Sequence, residues 1–196
     1  MTRRLIARLL DVIGNDIVPL TRDGVQGGNK IFGAAILEKS DLSLVVAGTN
    51  AEIENPLWHG EMATIKKLYQ LPQRQRPAPA DGVFLSTHEP CSMCLSAITW
   101  AGYDNIHYLF GYEQTRDTFH IPHDLRILKE VFGCNDGAYA RVNAYWESHD
   151  IVRMIAALPD LEKESLETRV EELTREYGEL SELYQASKPD NEIPLG

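Results

Sequence analysis

The sequence predicts an α/β layered fold, and three observations carry that expectation. Short apolar runs bounded by turn residues recur up to Phe110, and segments of helical period lie between them. The third is size: 196 residues with 43% hydrophobic and 24% charged side chains suffice to bury one full core. No apolar run approaches the ~18 residues of a membrane-crossing helix, and Leu5–Leu10 is interrupted by Arg8 and followed by Asp11. Neither a membrane span nor a signal peptide is expected. Three cysteines, two of them in a Cys-x-x-Cys pair, build no disulfide framework and fit a reducing, cytoplasmic compartment.

The elements follow in chain order. Leu5, Leu9, Leu10, Val12 and Ile13 share one face of an opening helix over Leu5–Ile17. Gly24-Val-Gln-Gly27-Gly28 lacks the Gly-Lys-Ser/Thr of a phosphate loop and reads as a turn. Ile31–Leu37 and Leu44–Ala47 read as neighbouring strands joined by the polar turn Glu38-Lys-Ser-Asp41. A helix from Trp58 to Tyr69 follows Asn55-Pro56, and the three prolines between Leu71 and Asp81 end it. Val83–Ser86 is a third strand, Cys91–Trp100 a helix and Ile106–Phe110 a fourth strand.

The last fifth of the chain differs. Leu166, Val170, Leu173, Tyr177, Leu180 and Tyr184 recur at alternating steps of four and three on a Glu-rich stretch, an amphipathic helix with a narrow apolar seam. A short coiled coil and packing on its own domain both satisfy that seam. The net charge is −10, and residues 158–196 hold eleven acids against four bases. The body thus lacks the basic excess that a phosphate backbone requires, and the arginines at 3, 4, 8, 74 and 76 read as solvated surface charge.

Two motifs carry chemistry: His59-Gly60-Glu61 and Pro90-Cys91-Ser-Met-Cys94, each between a strand and a helix. One imidazole and two thiolates are the three-ligand set of a catalytic zinc with an open fourth position. Cys91 and Cys94 are one helical turn apart, so both sulfurs can face one point, and a helix N-terminus favours thiolates. Glu61 stays off the metal and within reach of its water. Zinc lowers that water's pKa toward ~7, and Glu61 takes and redelivers the proton. A closed structural zinc completed by His88 or Cys134, and a redox Cys-x-x-Cys, are the alternatives.

His-x-Glu followed by Pro-Cys-x-x-Cys is the zinc deaminase signature, and from Ile31 to Phe110 the chain resembles the cytidine deaminase-like superfamily. Glu89-Pro-Cys-Ser-Met-Cys-Leu-Ser-Ala-Ile-Thr-Trp-Ala is most similar to the branch of guanine deaminases and tRNA adenosine deaminases. The resemblance implies a three-layer α/β/α sandwich around a mixed five-stranded sheet. It implies substrate contacts from Asn50 and Trp100 and from the backbone at Gly60 and Pro90, with Glu89 in a supporting role. Departures are Pro56-Leu-Trp58 in place of Pro-Thr-Ala, and His-Gly-Glu in place of the commoner His-Ala-Glu. Arg116–His120 and Trp146–Asp150 offer polar groups to close over a substrate.

The expected organisation is a zinc-dependent deaminase domain over residues 1–157, an acidic C-terminal helix over 158–187 and a flexible tail over 188–196. The expected activity is zinc-dependent (Zn2+) hydrolytic deamination of a nucleobase or nucleoside, with a small purine such as guanine favoured. His59, Cys91 and Cys94 are its metal ligands and Glu61 its catalytic proton carrier. A tRNA adenosine or cytosine/cytidine deaminase and a non-catalytic zinc-binding interaction module are the rival readings. The expected partner is a small molecule and neither nucleic acid nor membrane, and a homodimer is expected.

Overall fold

In the computed structural model, residues 2–195 are described. The opening helix is longer than expected: α1 (Thr2–Val12) runs through a π-helical segment (Ile13–Ile17) into α2 (Val18–Gln26). Pro19 explains the wide turn, because its ring lacks an N–H and would crowd the preceding carbonyls of a regular helix. Gly24 is therefore helical, and the turn is confined to Gly27 and Gly28, the latter at φ +88°.

β1 (Gly33–Glu38) and β2 (Leu44–Thr49) form an antiparallel hairpin. α3 (Gly60–Gln70), β3 (Gly82–His88), α4 (Ser92–Trp100) and β4 (Asn105–Phe110) follow. Next come α5 (Tyr112–Asp117), α6 (His123–Phe132), β5 (Glu147–Asp150), α7 (Ile151–Ala156) and α8 (Asp160–Ser187). The sheet order is β2-β1-β3-β4-β5, with β1 antiparallel to both neighbours and β3, β4 and β5 parallel. This is the mixed five-stranded sheet of the expected sandwich.

Strand alternation divides the core into two layers. Ala35, Leu37, Val83 and Leu85 face a cluster built with α1, α2, α7 and α8. Ala34, Ile36 and Phe84 face a second cluster containing Leu68 of α3 and Leu95 and Ile98 of α4. The seam of α8 is satisfied within the chain: Leu166, Leu173, Tyr177, Leu180 and Tyr184 are buried, and Val170 packs against the same cluster. Ser181 Oγ donates to the Phe119 carbonyl at 2.8 Å, tying α8 to the segment before α6.

Trp146–Asp150 corrects a sequence expectation. Its polar run is not a closing loop, because Glu147–Asp150 pairs with Asn105–Tyr108 as the edge strand β5. Arg116–His120 does not close over a site either. Arg116 pairs with its neighbour Asp117 at 2.6 Å on the surface, while Phe119 turns into the core.

Candidate active site

Two helix beginnings on one face of the sheet make the site. His59 caps α3 and Cys91 caps α4, so both motifs stand at the positive ends of helices. Gly60 permits the first approach. A Cβ there would lie 2.8 Å from Gly33 N and Cα and from the Phe32 carbonyl carbon, so α3 begins pressed against β1. His59 Nδ1 lies 3.4 Å from Cys91 Sγ, and ligand atoms of His59, Cys91 and Cys94 fall within 4.8 Å of one another. His88 is excluded from this group. It is buried among the rings of Phe32, Phe110, Phe119 and Tyr177, with Nδ1 at 2.9 Å from Thr87 Oγ1.

Charge is concentrated here. Burial disfavours the His59 imidazolium, but its hydrogen bond to Cys91 and the charges of Cys91, Glu52 and Glu61 outweigh that and raise it to about 9. The hydrogen bond from Cys94, with help from His59, holds the Cys91 thiol well below its ordinary value, whereas burial pushes Cys94 up. A divalent cation fits this donor set of one nitrogen and two sulfurs, of which His59 and Cys94 give up protons as metal enters.

Glu61 is 4% exposed and sits beside these ligands, its Oε1 accepting from Ser86 Oγ at 3.0 Å. Burial, and then the Cys91 thiolate, raise its carboxyl above the ordinary range. A carboxyl poised this way can hold and release a proton.

A cavity of about 280 Å³ opens over His59 and Cys91. Its apolar wall includes Phe32, Leu57, Met93, Ile121, Ile127 and Leu195, and its polar groups include Lys30, Glu52, His123 and Asp124. Burial, and then the Cys91 thiolate, push the half-buried Asp124 carboxyl up to about 8. Residues around α6, together with Pro194 and Leu195, thus form part of the cavity wall.

Four expected substrate contacts stand elsewhere. Trp100 is 91% exposed at the far end of α4 from Cys91 and lines no part of the cavity. Asn50 is buried behind Glu52, its Nδ2 donating to Glu52 Oε2 at 2.6 Å and its Oδ1 accepting from the Lys30 and Glu52 amides. Gly60 and Pro90 contribute no cavity surface, and the Pro90 carbonyl accepts from Tyr112 Oη at 2.5 Å. Glu89 braces this turn as expected. Its Oε1 accepts from Tyr139 Oη and Arg141, and its Oε2 from the Tyr112 amide. Lys30, Glu52 and Asp124 escaped sequence reasoning, since an isolated charged residue reads as surface.

A family model for the cytidine and deoxycytidylate deaminase zinc-binding region matches residues 18–110. No curated protein matches the chain in sequence. Among solved structures, it is similar to guanine deaminase from Nitrosomonas europaea, at 19% identity over 83% of this chain and 81% of that one, with a TM-score of 0.50. It is also similar to guanine deaminase from Bacillus subtilis, at 26% identity over 65% of this chain and 81% of that one, with a TM-score of 0.49. A tRNA:A34 deaminase matches at 18% identity over 67% of this chain and 92% of that one, with a TM-score of 0.42. The segment that the family model covers is the one that here carries both ligand turns and Glu61, so the chain carries the zinc-binding region of a zinc-dependent deaminase.

Proposed function

We propose that the protein hydrolytically deaminates a small purine base such as guanine, replacing an amidine C–NH2 by C=O, with water consumed and ammonia released. The observation that most supports a base with a ring N–H beside the amino group it loses is Asp124, a carboxyl in the wall of the cavity that His59 and Cys91 also line. Once ionised, a carboxyl there accepts from that N–H and the adjacent amino group, and a base without the ring N–H leaves it underpaired. At about 280 Å³ the cavity falls just below the ~300 Å³ at which pockets for drug-sized ligands begin, which suits one base between apolar walls.

His59, Cys91 and Cys94 would hold zinc, which would supply Lewis-acid activation of water. The chain's own contribution is proton transfer and orientation. Glu61, oriented by Ser86 Oγ, takes the proton from the attacking water and returns it to the departing amine. His59, Cys91 and Cys94 are the ligands of this reading, and Glu61 is its catalytic residue. A homodimer in the cytoplasm completes it, and light scattering of the full chain checks the assembly.

The experiment is a panel of purified bases, nucleosides, nucleotides and tRNA, with ammonia measured as product. Release from guanine is the expected result. Release confined to tRNA or to cytosine compounds, or zinc binding without turnover of any panel member, overturns the reading.

A further inference from the structure

We propose that Glu52 is the positioning residue of the metal centre, holding His59 so that Nδ1 faces the cysteines, and that Lys30 and Asn50 hold Glu52 in turn; this rests on His59 being a metal ligand. The two ring nitrogens of His59 point to different partners. Nδ1 lies 3.4 Å from Cys91 Sγ, and Nε2 lies 3.6 Å from Glu52 Oε1. The second distance is within ion-pair range and longer than a hydrogen bond, and in the proposed role it shortens to one when the ring binds a metal.

Glu52 is itself clamped. Its Oε1 is 3.0 Å from Lys30 Nζ, in a pair whose side chains are only 5% and 3% exposed, and its Oε2 accepts from Asn50 Nδ2 at 2.6 Å. Asn50 Oδ1 accepts from the backbone amides of Lys30 and Glu52 at 3.3 and 3.1 Å, which joins the segment before β1 to the loop after β2. A buried Lys–Glu pair gives a fold little that apolar side chains of similar volume would not. Its third partner gives it a role. An acceptor at Nε2 selects the tautomer with a proton on Nε2 and a lone pair on Nδ1, the nitrogen that faces the thiolates.

The test uses the full chain loaded with zinc and no substrate. Zinc affinity is measured by competition with a chromophoric chelator, and the His59 tautomer by nitrogen NMR. Glu52→Gln keeps the shape and weakens the acceptor. Lys30→Met combined with Glu52→Leu removes both charges together, so that neither stays buried alone. Both variants are expected to bind zinc about 10–100-fold more weakly and to lose the single His59 tautomer. Leu173→Ala, in the other core layer, serves as a control that lowers the melting temperature without changing zinc affinity. Wild-type zinc affinity and tautomer in both folded Glu52 variants overturn the proposal. A wild-type chain that takes up no zinc overturns the metal reading itself.

Discussion

Replacing Gly60 by alanine tests how the site is assembled. The added methyl would lie 2.8 Å from three backbone atoms, Gly33 N, Gly33 Cα and the Phe32 carbonyl carbon, and no rotamer change relieves a clash against backbone. Two terms oppose each other. Alanine gains up to ~1 kcal/mol of helix propensity, and less at a first-turn position, while overpacking costs about 1–3 kcal/mol. With three backbone contacts the upper part of that range applies, for a net loss of roughly 2 kcal/mol. For a domain of this size that corresponds to a fall of roughly 4–8 °C in melting temperature. The alternative to that loss is that α3 backs away from β1, carrying His59 and Glu61 with it. A displacement near 1 Å then costs about 100-fold in turnover. The assay is calorimetry of the zinc-loaded protein beside zinc analysis and ammonia release. A variant with unchanged melting temperature, zinc content and turnover would refute the close approach as the reason for His-Gly-Glu here.

Three further outcomes are expected. Glu61→Gln keeps the shape and removes the proton carrier, so zinc stays bound while turnover falls at least ~100-fold; near-normal ammonia release excludes the assigned role. Asp124 holds its proton in the folded chain up to about pH 8 but, unfolded, releases it near the ordinary ~3.9, so its contribution to stability falls as pH rises across that window. Chelator-treated Asp124→Asn is therefore expected to melt above the wild type at pH 8 and to show a flatter pH profile, and equal melting temperatures at pH 8 contradict this. A chain ending at Pro159 loses five buried hydrophobic side chains of α8: Leu166, Leu173, Tyr177, Leu180 and Tyr184. At about 1.5–3 kcal/mol each these match the ~5–15 kcal/mol that hold a whole domain folded, so the truncated protein is expected to be unfolded or aggregated by circular dichroism and light scattering.

The metal ligands were legible because their chemistry depends on short spacing: two residues separate Cys91 from Cys94, and Glu61 stands two after His59. The first four strands were legible for a similar local reason, since β1 to β4 each hold an apolar run between turn residues. β5 was not, because Glu-Ser-His-Asp is an edge strand without apolar alternation. Asn50 and Trp100 were assigned by resemblance. Their actual environments depend on the short loop that brings Glu52 back over Asn50, and on an α4 that ends in solvent. Lys30 and Glu52, and Asp124 farther along, meet the ligands only through the tertiary fold, and no periodicity marks such meetings.

The cavity joins residues that leave the ribosome at different times. His59, Cys91 and Cys94 emerge early, the wall around Asp124 follows, and Pro194 and Leu195 come last. A nascent chain translated only through α4 therefore holds all three ligands but only part of the cavity wall. A prematurely terminated product lacks Asp124 and its neighbours, and with them part of the surface that a base would meet.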